Sequence, residues 1–294
     1  MNRDARILIA GTDTVTGAAI ARVLHRHGYR QLVTDLAARP DYVFIAAGKS
    51  GGILANQKFP ADLCYDNLRV ALDLIPAAHR QGVKKLLYLG SSCIYPKQAP
   101  QPLRPESLLT GALEPTSAAY AMAKLAGITL CQAYRRQHGA PFITGIPADV
   151  FGPGTKFSGD DSHVIPSLMV KMHQAKLAGT DHLTLWGSGS PRREFTFADD
   201  LAEACLVVMR EYDDDAPINL GSGETVAIRE LAEQIRDVVG FTGELRWDTT
   251  RPDGAPVKWL ETTPLRALGW RSTTPLDIGL RATYQSLLET DEKT

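Results

Sequence analysis

The sequence predicts an α/β protein: a doubly wound parallel sheet followed by a smaller α/β lobe. Three observations carry this. Short apolar runs rich in β-branched and aromatic residues alternate with amphipathic helical patterns through the first half. The first run, "RILIA", passes through the glycine turn "GTDTVTG" directly into "VTGAAIARVLHRHG", the strand–turn–helix order in which a Rossmann unit offers helix N–H groups to a phosphate. The chain has 294 residues, ample for a large core or for two smaller ones.

The strands that follow are "YVFIAAG", "KKLLYLGSS" and "PFITGIPADVFGP". Between them lie the helical patterns "PADLCYDNLRVALDLIPAAHRQG" and "SAAYAMAKLAGITLCQAYRRQHG". In such sheets ligands sit beyond the carboxyl ends of the strands, where "AGTD", "AAGK", "GSSC" and "PADVFGP" fall. Beyond about residue 150 glycine and proline turns are frequent, with two further helices in "AIRELAEQIRDVV" and "PLDIGLRATYQSLLE". The expected division is a Rossmann-like dinucleotide-binding unit over residues 1–150 plus about 195–220. About 151–194 and 221–294 then form the substrate lobe.

Residues 29–41 break the pattern. A Rossmann half needs a second strand and another helix before "YVFIAAG", and a parallel crossover takes a dozen residues or more. If "QLVT" were that strand, only residues 35–41 would remain for the return. The expectation is therefore a short helix or turn in "RQLVTDLAA" and a sheet lacking one or more strands on the adenosine side. Asp35 could still meet the adenosine ribose, but reads better as a solvent-facing aspartate.

Composition narrows the function classes. Hydrophobic residues make up 44% and charged residues 22%, as in ordinary globular proteins. A net charge of −1 argues against a sequence-independent nucleic-acid binder. No stretch is apolar for long enough to span a bilayer, and "MNRDAR" does not begin a signal peptide. Cys64, Cys93, Cys131 and Cys205 have no CxxC spacing, so neither a metal site nor a disulfide framework is expected. A reduced, cytoplasmic protein is the expectation.

"YAMAK" sets Tyr120 and Lys124 four residues apart, on one helix face. An ammonium beside a phenol would favour the phenolate and suit proton exchange with an alcohol oxygen. By itself the pair reads more readily as a core tyrosine and a surface lysine. Ser91, at the end of "KKLLYLGSS", adds a hydroxyl that could join them around a carbonyl. Ser91, Tyr120 and Lys124 together resemble the catalytic pattern of extended short-chain dehydrogenase/reductases.

Longer stretches sharpen the resemblance. "GGILANQKFPADLCYDNL", "VKKLLYLGSSCIYPKQAPQPL", "LLTGALEPTSAAYAMAKLAGITLCQAYRRQHG", "SHVIPSLM", "LWGSGSPRREF" and "RPDGAPVKWLETTPLRALGW" resemble the GDP-L-fucose synthase family. The likeness runs from about residue 41 to the C-terminus. It implies 3,5-epimerisation of a GDP-linked 4-keto-6-deoxy sugar, followed by NADPH-dependent reduction at C4. A 4-keto group acidifies C3 and C5, and inversion there needs a base on one face and an acid on the other. The resemblance assigns Cys93 as base and His163 as acid, residue types whose titration suits the task. Read alone, Cys93 would be a small buried hydrophobe and His163 a loop or cap residue. Tyr120, with Ser91 and Lys124, would then donate the proton at C4.

The resemblance further implies that Lys171, Trp186, Arg193 and Lys258 contact the nucleotide sugar. Gly11, Thr14, Gly17 and Lys124 would hold NADP(H), with no metal involved. A homodimer through the helices around 61–82 and 117–138 is also implied. Some positions depart from the family pattern. Lys171 stands where arginine is common, Asp149 where asparagine is usual, Asp13 where arginine is usual, and Thr14 where a glycine lets the backbone meet the pyrophosphate. Thr14, Asp13 and the missing strand all fall on cofactor binding, which predicts intact sugar chemistry and weakened dinucleotide binding. A redox-silent epimerase is therefore the alternative activity, and a non-catalytic nucleotide-sugar binder the third.

Overall fold

Lys85–Leu89 shows why the central sheet forms: Leu86, Leu87, Tyr88 and Leu89 are all buried, as in a strand covered on both faces. The computed structural model describes residues 1–157, 162–251 and 253–291. Six parallel strands make the main sheet: β1 (Ile7–Ala10), β2 (Leu32–Val33), β3 (Tyr42–Ile45), β4 (Lys85–Leu89), β5 (Phe142–Pro147) and β10 (Ile218–Leu220), in the order β10-β5-β4-β3-β1-β2. Side chains alternate across it. Ile7, Ile9, Phe44, Leu87 and Leu89 pack under α1 (Val15–Arg26) and α6 (Ala198–Glu211). Leu8, Val43, Ile45, Leu86 and Tyr88 pack under α3 (Pro60–Arg80) and α4 (Ala118–His138), which α2 (Ile53–Lys58) precedes.

Elements that follow β5 build the second core. They are β6 (Asp149–Phe151), α5 (Val164–Leu177), β7 (His182–Trp186), β8 (Arg192–Arg193), β9 (Phe195–Phe197), β11 (Val226–Ala227), α7 (Ile228–Val239), β12 (Glu244–Asp248), β13 (Val257–Lys258) and α9 (Leu276–Asp291), whereas α8 (Thr263–Ala267) packs Leu265 into the first core. Phe151, Met169, Met172, Leu231, Ile235 and Leu280 lie at its centre. Three small sheets stitch it together: β11-β8-β13, β12-β7 and β6-β9.

The second strand, expected to be missing, is present as a two-residue stub. Leu32 and Val33 pair with Ile7 and Leu8 at the sheet edge. A single 3-10 turn, Leu36–Ala38, replaces the crossover helix. Because so short a strand needs little return travel, eight residues suffice to reach β3, each spanning up to about 3.5 Å. The adenosine side is still abbreviated, since the usual order 3-2-1-4-5-6 puts two strands there. Asp35 is exposed, as expected of a solvent-facing aspartate, and its Oδ1 accepts the Ala38 amide at 3.2 Å to cap this turn.

Candidate functional site

The glycine turn after β1 folds as a Rossmann turn should. Gly11 has φ +95°, and a Cβ there would lie 2.6 Å from the Ala47 backbone. A Cβ on Gly17 would meet the Gly11 carbonyl oxygen at 2.0 Å. Both positions therefore require glycine. Thr14, expected to intrude, is folded back as the N-cap of α1. Its Oγ1 accepts the Gly17 amide at 3.0 Å and donates to the Gly11 carbonyl at 2.7 Å. Asp13 points outward, 81% exposed, and stands 3.9 Å from Lys156. Thr14 is thus accommodated within the turn, while Asp13 keeps its charge beside it and β2 is a stub.

Beyond the ends of β3 and β4 three elements converge. Gly127 on α4 lies against Tyr88, whose ring would be 2.3 Å from any Cβ there. That close approach brings the first half of α4 over the end of β4. Lys124 is buried, donates to the Leu89 carbonyl at 3.2 Å, and lies 5.3 Å from the Tyr88 ring centroid. Burial lowers its pKa to about 8. Asn67 on α3 fixes the neighbouring turn: its Nδ2 donates to Lys49 and Leu63 carbonyls, and its buried Oδ1 has no donor among the described residues. That oxygen would be 2.2 Å from a Cβ on Gly48, and Lys124 Nζ 3.6 Å from the same point. The glycine cradle and this orphaned oxygen fit a dinucleotide running from the α1 N-terminus toward Lys124.

Tyr120 corrects the expected electrostatics. Burial pushes its phenol pKa well up, with the nearby Cys93 and Asp149 adding to the rise and a hydrogen bond with Ser91 opposing it. Burial thus favours the neutral phenol, while Lys124 donates to the Leu89 carbonyl. Ser91 also caps the 3-10 turn Ser92–Ile94 by accepting the Cys93 amide at 3.3 Å, which aims the Cys93 side chain at the cleft.

The other wall comes from the second core. Lys258 on β13 places Nζ 4.0 Å from Cys93 Sγ and 3.6 Å from Asp149 Oδ1. Burial disfavours the Lys258 charge, but Asp149 and Cys93 outweigh it and leave the pKa raised. His163 is the N-cap of α5. Burial holds its imidazole below the usual value, with Asp149 acting against the shift and Lys258 with it. Arg193 Nη1 donates to the Arg192 and Ala255 carbonyls, tying the β8 and β13 segments together. Ser91, Cys93, Tyr120, Asp149, His163, Arg193 and Lys258 thus share one cleft, with Lys124 behind it.

Lys171 and Trp186 lie further out. With Val164, Leu168, Ile228 and Trp247 they line a cavity of about 160 Å³. Trp186 is 64% exposed, and the Arg251 guanidinium lies 5.2 Å from its ring centroid. One Trp186 face therefore already carries a cation. Among residues the sequence reading missed, Trp247 enters through the β7–β12 pairing, which no local motif announces. Asn67 is another. Glu194 is a third: buried at 2% exposure, it accepts the Gly223 amide at 2.7 Å and the Leu260 amide at 2.6 Å. Burial raises its pKa to about 7, against the pull of those amides. Its one visible signal was a carboxylate set in the strand-like "REF".

Comparison with known proteins follows this geometry. Residues 30–221 match the NAD dependent epimerase/dehydratase family. GDP-L-fucose synthase 1 of Arabidopsis thaliana is 45% identical, covering 98% of this chain and 94% of its own. The GDP-L-fucose synthase of Escherichia coli K12 is 42% identical, over 98% of each chain. Among solved structures, a GDP-L-fucose synthetase from Naegleria fowleri bound to NADP superposes with TM-score 0.90 at 27% identity, over 100% of this chain and 97% of that one. A GDP-mannoheptose C4 reductase from Campylobacter jejuni with NADP bound gives 0.87 at 30%, over 98% and 99%. The likeness includes the N-terminal unit as well as the stretch from residue 41 onward.

Proposed function

The chain belongs to the GDP-L-fucose synthase family, within the NAD dependent epimerase/dehydratase family, and from that premise we propose that it converts a GDP-linked 4-keto-6-deoxy sugar by 3,5-epimerisation and NADPH-dependent reduction at C4. The observation that supports this best is one shared cleft: Lys258 reaches to 4.0 Å from Cys93, and Tyr120, beside Ser91 and Cys93, faces the same space.

In this reading Cys93 removes the proton beside the carbonyl, and the Lys258 ammonium favours its thiolate. His163, from the opposite wall, returns a proton on the other face. Tyr120, held as the neutral phenol, gives its proton to O4 as the ketone becomes an alcohol. Ser91 orients that phenol. Gly11, Thr14 and Gly17 would hold the NADPH pyrophosphate at the α1 N-terminus, and Lys124 the part nearest the cleft. When bound, NADPH supplies the hydride to C4. Arg193 and Lys258 offer positive charge to the GDP diphosphate, and Lys171, Trp186 and Trp247 line the outer cavity for the nucleoside.

The same reading includes a cytoplasmic homodimer. Among the described residues no helix is long and apolar enough to cross a membrane. Tyr65 and Leu72, seven apart on α3, are 62% and 60% exposed, and Met122 on α4 is 52% exposed. An apolar strip of this kind suits a partner's matching helices. The division into a dinucleotide unit (residues 1–150 and about 195–220) and a sugar lobe belongs to this proposal too.

Following NADPH absorbance on addition of GDP-4-keto-6-deoxy-mannose tests the reading. Substrate-dependent NADPH oxidation is expected; its absence in protein that binds the sugar would overturn it.

A further inference from the structure

Asp149 occupies the centre of the cleft, at the start of β6. Lys258 on β13 faces it directly. Tyr120 on α4, His163 at the head of α5, Arg193 on β8 and Glu194 just after it all feel its charge, and Cys93, beyond β4, is reached through Lys258. Lys258 is the only one of these within ion-pair distance of Asp149 among the described residues, at 3.6 Å, and the same Nζ lies 4.0 Å from Cys93 Sγ. One ammonium thus stands between a carboxylate and a thiol.

We propose that Asp149 is a positioning residue that shares the Lys258 ammonium with Cys93 and thereby governs how readily Cys93 becomes the thiolate base. A cation paired with one anion stabilises a second less than it would alone, and the carboxylate itself opposes another negative charge nearby. Asp149 therefore holds Cys93 toward the thiol. By the same field it favours the imidazolium at His163, the form that can give up a proton. Both effects move the working range of the acid–base pair to higher pH. The proposal rests on the reading of Cys93 as base, but the charge sharing can be measured without turnover.

The probe is iodoacetamide, with alkylation of Cys93 followed by peptide mass spectrometry across pH in wild type, Asp149→Asn and Asp149→Glu. In D149N the midpoint for Cys93 should fall by about one pH unit, and D149E should bring it back toward wild type. Cys64, partly exposed on α3, should keep its profile in all three and reports on the fold. In a Lys258→Met background the D149N shift should shrink, because the shared cation is gone. An unchanged Cys93 midpoint in D149N with an unchanged Cys64 profile overturns the proposal, and so does an undiminished shift in K258M. If D149N does not fold, Asp149→Ser removes the same charge and is read in the same way. A shifted midpoint alongside full C3/C5 exchange in Cys93→Ser would leave the charge sharing intact and remove the base assignment instead.

Discussion

Thr14 Oγ1 accepts the Gly17 amide at 3.0 Å, so the side chain that should have blocked the phosphate turn instead ties it together. The same hydroxyl donates to Gly11, whose carbonyl oxygen lies where a Gly17 Cβ would be. The turn and the first helix are thus one hydrogen-bonded unit. Thr14→Ala should cost about 1 kcal/mol of stability through the lost cap, whereas Thr14→Gly should cost a few tenths. Urea denaturation of the two variants measures this.

In the proposed reaction Cys93 and Tyr120 serve different half-reactions, so their variants should separate them. Cys93→Ser should slow solvent deuterium entry at C3 and C5 by roughly 10²–10⁴-fold while GDP-sugar binding persists. Tyr120→Phe should keep deuterium entry and lose a comparable factor in NADPH oxidation. NMR of recovered sugar and absorbance of the nucleotide read the two independently.

Lys124 gives a pH signature in stability. Its pKa falls from 10.5 in the unfolded chain to about 8 on burial. Below pH 8 both states hold the proton and the folded state bears the burial cost. Between pH 8 and 10.5 the unfolded chain binds more protons, so stability rises with pH through that window. Lys124→Met should therefore be more stable than wild type at pH 7, by at most about 3 kcal/mol. The gap should close as pH approaches 10.5, and reduction should be lost. Thermal melts across pH check the sign.

Leu72, seven residues from Tyr65 on the open face of α3, tests the assembly. Leu72→Glu should convert a dimer to monomer in light scattering while leaving the melt of the monomer within about 0.5 kcal/mol of its parent, as for an exposed substitution.

The parallel sheet was legible because both of its faces are covered, which forces continuous apolar strands such as "KLLYL". The residues on the strand ends and in YxxxK were legible for the same reason: local motif and local structure coincide there. The β2 stub was misjudged because the crossover rule assumes a strand of ordinary length, and Asp35 shows how one capped 3-10 turn suffices. Thr14 reads in the sequence as β-branched bulk, and in the fold its hydroxyl is a cap. Glu194, Asn67 and Trp247 were invisible for another reason. Each acts through partners far away in sequence, as Glu194 does by accepting amides from residues 223 and 260. The Tyr120–Lys124 spacing puts both on one helix, and the bond from the ammonium to the Leu89 carbonyl is something spacing alone does not reveal.

The central claim is that one cleft performs both proton exchange and reduction despite the abbreviated adenosine side. Mass spectrometry of GDP-4-keto-6-deoxy-mannose incubated with the protein and NADPH in D2O tests it most directly. The account predicts a reduced GDP-6-deoxy sugar that carries solvent deuterium at C3 and C5 together with hydrogen transferred to C4. Deuterated but unreduced sugar, with NADPH unconsumed, would contradict it and identify a redox-silent epimerase.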